Sequence, residues 1–172
     1  YLKYTIEFFP EEGKYHFDGH RNCQVSFSPS ETRKRNGICP VCGKELTIGV
    51  LHRVEKLADR EEGFIPENAI PFKSLIPLQE IIAESLGLEK NSKLVENEYL
   101  NLIRKGGNEF RILLDLDEDE LREIASEKIV EGIIKMRNGQ VTKIPGYDGV
   151  YGKISVFGEK IEKRESKQGT LF

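Results

Sequence analysis

No stretch of this chain approaches the ~20 consecutive apolar residues that a membrane-spanning helix needs. No leader with a charged start and an apolar heart opens it, and there is no initiator Met; Tyr1 begins in sequence that already reads as strand. The expectation is a piece of a longer, cytoplasmic protein. Cysteine is scarce: there are three, which cannot all pair in disulfides, and two of them stand as Cys39-Pro40-Val41-Cys42. In a chain without secretory features, that spacing points to a bound metal in a reducing compartment. Histidine is scarce too, with only His16, His20 and His52. None has a nucleophile motif beside it, and the several His/Asp ligands of a catalytic metal cluster are missing. A phosphate loop is also missing. In Gly146-x2-Gly149-x2-Gly152-Lys153, Tyr147 stands where a Walker loop needs Gly, and Ile154 stands where it needs Ser or Thr. Alone, the chain is expected to be catalytically inert.

What is present suits a core beneath a polar skin: 172 residues, 38% hydrophobic and 32% charged, enough for one domain or two small ones. The net charge of −3 hides an uneven spread. Residues 1–60 carry 10 Lys/Arg against 8 Asp/Glu, residues 61–135 carry 9 against 17, and residues 136–172 carry 7 against 4. An acidic middle between basic ends argues against one continuous nucleic-acid stripe, and leaves room for a basic face built from the two ends. Richness in Lys, Glu and Ile with a single Met points toward a thermophile.

The fold class expected is α+β. A small β zinc ribbon comes first, followed by a helical lobe and a short strand or hairpin segment. Strand-like patterns run through Tyr4 to Phe9 and Gln24 to Ser28, with Leu46 to Gly49 as a partner for the latter. Val50, Val54, Leu57 and Ala58 fall at helical spacing. Residues 60–77, with Gly63, Pro66, Pro71 and Pro77, read as a linker or strap. Leu78, Ile81, Ile82 and Leu86 form a helical stripe that Gly87 should stop. Val95, Tyr99, Leu102 and Ile103 form another, ended by Gly106-Gly107. Asp117 and Glu120 make a capping box for a helix carrying Leu121, Ile124, Ala125, Ile129 and Ile133. Residues 140–157 return to strand-like alternation. The acidic run 115–120 invites a metal reading, but carboxylates facing the positive end of a helix explain it better.

His20-x2-Cys23, fifteen residues, then Cys39-x2-Cys42 is the strongest chemical signal. Two knuckles, each turning sharply, bring four donors onto one tetrahedral ion, and four protein ligands leave no open position, so the metal is structural. His16 and Asp18 are alternatives to His20; the matching x2 spacing favours His20. Pro40 stiffens the second knuckle, and Gly43 allows a positive φ after it. Arg21, Lys44 and Arg53 flank this centre and are candidate phosphate contacts, with a plain solvated surface as the rival reading. The glycine-spaced turn displays Tyr147 and Tyr151 beside Lys153, and could stack on a base or grip a phosphate; a tight hairpin with packed tyrosines is the alternative.

Several blocks together carry a resemblance. They are residues 5–23, ending in His16-Phe17-Asp18-Gly19-His20-Arg21-Asn22-Cys23; Asn36-Gly37-Ile38-Cys39-Pro40-Val41-Cys42-Gly43-Lys44; Ile48-Gly49-Val50-Leu51-His52-Arg53-Val54; Asn68-Ala69-Ile70-Pro71-Phe72; and Pro145-Gly146-Tyr147-Asp148-Gly149-Val150-Tyr151-Gly152-Lys153. To about residue 157 the chain resembles the endonuclease Q family of DNA-repair nucleases, PHP-superfamily phosphoesterases with a zinc ribbon found in archaea and some bacteria. The resemblance implies a parent enzyme that cuts DNA 5′ to deaminated bases, such as uracil and hypoxanthine, and at abasic sites. It implies chemistry at divalent metals of an N-terminal PHP domain whose ligand motifs have no counterpart here. It also maps the family's zinc ligands onto His20, Cys23, Cys39 and Cys42, one zinc per chain.

The organisation implied is the end of an upstream PHP domain (1–13), a zinc ribbon (14–59), a helical lobe with a terminal hairpin (60–157) and a disordered tail (158–172). The partners implied are damaged DNA and the PHP domain of the same protein. In the tail, Gln168, Leu171 and Phe172 resemble the start of a box that binds the sliding clamp PCNA, cut short before its aromatic pair. The alternatives are a non-catalytic zinc-ribbon adaptor and a helicase-associated nucleic-acid-binding module.

Overall fold

The computed structural model describes residues 2–158, and the clamp-like box at Gln168, Leu171 and Phe172 lies outside them. The architecture is α+β. Strand β1 (Thr5–Glu7) is followed by a 3-10 turn at Pro10–Glu12, then by the hairpin of β2 (Asp18–His20) and β3 (Val25–Phe27). Helix α1 (Pro29–Lys34) starts on a capping box in which Ser28 and Glu31 satisfy each other's backbone N–H groups. Helix α2 (Val50–Leu57) and strand β4 (Phe72–Ser74) come next. The helices α3 (Leu78–Leu86), α4 (Lys93–Gly106), α5 (Glu118–Ile124) and α6 (Glu127–Arg137) form the lobe, and β5 (Thr142–Ile144) pairs with β6 (Lys153–Ser155).

The lobe supplies most of the core. Leu78, Ile81, Ile82, Val95, Leu102, Ile112, Leu121 and Ile133 are all fully buried in one cluster with Phe9, Ile154 and Val156. Each such side chain contributes roughly 1.5–3 kcal/mol of burial free energy. Phe9 and the β1–β4 pairing tie the first residues of the chain to this lobe: Thr5 stands opposite Phe72 in a parallel register. Among the described residues no helix is long and apolar enough to cross a membrane.

Helix ends fall where the caps require. Gly87 closes α3 in the left-handed conformation, Gly139 does the same after α6, and Asp117 with Glu120 closes the capping box of α5. The acidic run therefore caps a helix. Two local readings change, and a third gains a detail. β3 pairs with β2 rather than with the Leu46–Gly49 segment, which sends only Thr47 to β2, by a bridge to Gly19. The helix expected from Asp117 to Ile133 is two helices, because Ala125 and Ser126 both take extended conformations and interrupt it. The stripe on α2 forms as a helix but is not buried: Val50, Val54 and Leu57 are exposed. α2 is held instead by polar ties, the Arg33–Glu55 ion pair at 2.8 Å and a buried carboxylate described below. A π-turn at Arg111–Asp115 also had no sequence signal. It leaves carbonyls of Ile112, Leu113 and Leu116 to the half-buried Arg137 guanidinium, at 2.7 to 2.8 Å. Burial there lowers the Arg137 pKa from its ordinary value.

Candidate metal centre and nucleic-acid face

Two knuckles build the metal centre. In the first, β2 ends at His20 and the chain turns through a 3-10 turn, Arg21–Cys23. Gln24 then takes the left-handed conformation, and its N–H donates to the Arg21 carbonyl. In the second, Cys39 N–H donates to Lys44 O, Gly43 N–H donates to Cys39 O, and Gly43 sits at φ +71°. Each knuckle thus follows its last ligand with a left-handed residue, one glycine and one not. The donors of His20, Cys23, Cys39 and Cys42 all lie within 4.8 Å of one another, with Cys42 Sγ 3.3 Å from His20 Nδ1. A tetrahedral zinc with ~2.3 Å bonds to sulfur needs a donor separation of ~3.8 Å, so modest closure completes the site.

The electrostatics fit a cation. Burial works to raise the Cys39 thiol. The backbone amides of Cys42 and Val41, then His20 and Cys42, outweigh it and bring Cys39 down to about 6. Burial pushes Cys23 up to about 11, reinforced by the neighbouring Cys42 and Cys39 thiols. One thiolate is therefore ready near neutrality, and another forms only when a cation takes the proton's place. The rival ligands are engaged elsewhere. Asp18 is buried; its Oδ1 accepts from Gly49 N–H and its Oδ2 from His52 Nδ1, both at 2.6 Å. His16 stacks on Phe17. Sequence reasoning missed the Asp18–His52 tie, which fastens the start of α2 to β2; a surface histidine carries no signal for a carboxylate 34 residues away.

The glycine-spaced loop between β5 and β6 docks on the ribbon. Gly146 N–H donates to Glu11 O, Gly149 N–H to Lys14 O, Gly152 N–H to Glu12 O, and Phe17 N–H returns to Gly146 O, at 2.8 to 3.0 Å. Asp148 is the clasp: its carboxylate accepts from Arg21 N–H at 2.6 Å and Thr47 Oγ1 at 2.7 Å. Desolvation works against its charge, but these two donors, with the Arg21 charge, hold its pKa below the ordinary carboxylate value. Gly19 is required beneath: a Cβ there would lie 2.4 Å from the Tyr147 ring.

Of the candidate contacts, Tyr147 is half-buried against Gly19, whereas Tyr151 is exposed. Arg21 is exposed beside this loop: a Cβ at Gly149 would meet Arg21 Nη1 at 3.4 Å and the Tyr15 hydroxyl at 3.6 Å. Lys44 follows the second knuckle and Arg53 lies on α2, both exposed. Lys153 lies on β6 and, with Tyr151, lines an open cleft of about 1380 Å³ against α3.

Fold and centre together define an α+β chain in which a His/Cys3 cluster, compatible with a structural zinc, is joined to a helical lobe. Comparison with known proteins narrows the class. Residues 77–140, the helical lobe, match a family model described as the MJ0043 C-terminal domain. The chain is 38% identical over 153 residues to the uncharacterised protein MJ0043 of Methanocaldococcus jannaschii, covering 89% of this chain and 19% of that protein. It superposes on the crystal structure of the lesion-specific endonuclease Q of Pyrococcus furiosus with a TM-score of 0.78 and 31% identity, over 95% of this chain and 41% of that one. It also matches endonuclease Q in complex with a 27-mer duplex carrying an abasic lesion at the active site, with a TM-score of 0.72 and 31% identity, over 91% of this chain and 40% of that one. The chain thus spans about two-fifths of the nuclease chains and a fifth of MJ0043.

Proposed function

We propose that this chain is the zinc-ribbon and helical portion of an endonuclease Q-type repair nuclease. In this reading it holds DNA bearing deaminated bases (uracil, hypoxanthine) or abasic sites against a PHP catalytic domain whose metal ligands lie outside it. The observation that carries the reading is the convergence of His20, Cys23, Cys39 and Cys42 in a fold that follows endonuclease Q over 95% of this chain. A zinc bound there would supply no chemistry; it would fix the two knuckles, and with them the backbone of Arg21 and Lys44. Arg21, Lys44 and Arg53 then meet phosphates, with the acidic helices turned away. Binding is expected to be weak and steeply salt-dependent, because a few cations release a few counterions. Extruding a damaged base costs a few kcal/mol, least where pairing is already lost. The clamp-like box at Gln168, Leu171 and Phe172 rests on sequence alone; in this reading it adds a tether to PCNA once the residues after it are present.

Fluorescence anisotropy of the zinc-loaded chain with duplexes that are intact or contain uracil or an abasic site, over a salt series, tests the proposal. The expected result is binding that weakens linearly in log salt, with a slope flattened by Arg21→Ala, Lys44→Ala and Arg53→Ala, and no strand cleavage on adding divalent metal. Affinity that stays level or rises with salt, or nicking that a substitution within this chain abolishes, would overturn it.

A further inference from the structure

Two exposed aromatic rings stand on hydrogen-bonded backbone near the ribbon. Tyr151 is 73% exposed and Tyr15 46%. Neither segment is slack. Tyr15 O accepts from Val50 N–H at 2.7 Å; Gly149 N–H and Gly152 N–H, on either side of Val150 and Tyr151, are bonded to the Lys14 and Glu12 carbonyls. Chain that well tied could have tucked its rings inward, as Tyr147 does, at a gain in buried apolar area. Between the two rings Lys14 Nζ lies 5.7 Å from each centroid, within cation–π range. Arg21 Nη1 and the Tyr15 hydroxyl flank Gly149 on the same loop. The carboxylates of this surface are largely engaged: Glu11 with Lys143, and Asp148 with the Arg21 amide and Thr47. Glu12 lines the cleft with Glu80.

The geometry points to Tyr15 and Tyr151 as a stacking platform for an unpaired nucleobase, with Arg21 and Lys14 meeting the phosphates beside it. This rests on the DNA-holding reading above and adds what that reading lacks, a contact to a base rather than to the backbone. Every base offers a π-face, so the platform accepts bases without regard to sequence, as single-strand binders do. It suits a duplex that has been opened, where a base has left its stack and must be kept from returning. Tyr15 carries no motif in the sequence; only the docking of the loop at residues 146–152 onto residues 11–17 places it beside Tyr151.

The test compares an oligothymidylate with a base-free oligomer of equal length and charge, built from abasic units. The chain contains no Trp, so the emission of its Tyr residues reports stacking directly. The expected result is tighter binding of the oligothymidylate, by roughly 5- to 150-fold per stacked base, with quenched emission. Tyr151→Ala should erase both the preference and the quenching, while Tyr151→Phe keeps the preference. Tyr15→Ala should produce the same loss and serves in its place should Tyr151→Ala disturb the loop, with metal content and melting confirming that the fold is intact. Lys14→Ala should weaken both oligomers alike and flatten the salt slope. Equal affinity for the two oligomers, or a preference that survives both alanine substitutions, overturns the platform but leaves phosphate-driven DNA binding standing. Absence of binding to any DNA overturns both readings.

Discussion

The ribbon and the lobe reach a fixed shape by opposite means. The lobe buries a continuous cluster of Leu, Ile and Val from α3 to α6, and its helices are capped by local chemistry. The ribbon buries Val25, Cys39 and Leu46, with Cys23 and Phe27 partly covered, and its strands are three residues long. A core that small cannot offset the conformational entropy of some forty residues at ~1–2 kcal/mol each. The difference teaches where stability is stored: in apolar area on one side, and in four donor atoms waiting for a cation on the other.

Removing metal should break the comparison most sharply. With ~10–16 kcal/mol apparent in small structural zinc sites, chelation is expected to release the ribbon and leave the lobe folded. Hydrogen exchange reads this directly: Gly19, Cys39 and Leu46 amides should lose protection while α3 to α6 keep theirs. Loss of protection across both regions together would refute the division. Uptake of zinc should release protons, since Cys23 at about 11 must give one up. Affinity should therefore fall as pH drops, and more steeply below about 6, where Cys39 takes a proton as well.

A cavity in the lobe should do less, and on the other side. Ile133 is fully buried, so Ile133→Ala is expected to cost ~2–5 kcal/mol, lowering the melting temperature with zinc content unchanged. Loss of metal in that variant would mean that the two regions are one cooperative unit.

The smallest effect belongs to the clasp between them. Asp148→Ala removes two hydrogen bonds, at ~1–2 kcal/mol together. It should move the ribbon and lobe transitions further apart rather than unfold either. Because the folded carboxyl has a lowered pKa, its contribution is present above the ordinary carboxylate range and lost as pH falls through the depressed value. Transitions as close together in the variant as in the unaltered chain would show that the clasp does not couple them.

Legibility in the sequence followed distance along the chain. The four metal donors, the capping box at Asp117 and the stop at Gly87 are readable because each is local: a knuckle or a cap is closed within a few residues. The pairing of Thr5 with Phe72, the Asp18–His52 tie and the Arg137 grip on the π-turn are not, because nothing at either end names the other. The break at Ser126 was hidden by apolar spacing that continues in register across it, so Ile129 and Ile133 look like the same helix as Leu121. On α2 the periodicity gave the helix but not the burial, since amphipathicity says which face is apolar and nothing of what meets it.

The clasp also sets an order of assembly. The ligand pairs span residues 20–42, so the cation can be taken up once that segment has left the ribosome. Asp148 follows Arg21 by 127 residues and Thr47 by 101, and it arrives only after every helix of the lobe. During synthesis at roughly 5–20 residues per second, the metal-bearing half therefore waits several seconds with the Arg21 amide and Thr47 hydroxyl unclaimed. The face that Tyr151 completes comes into being last, so a chain cut short by proteolysis or stalled translation would carry the metal but lack the completed face.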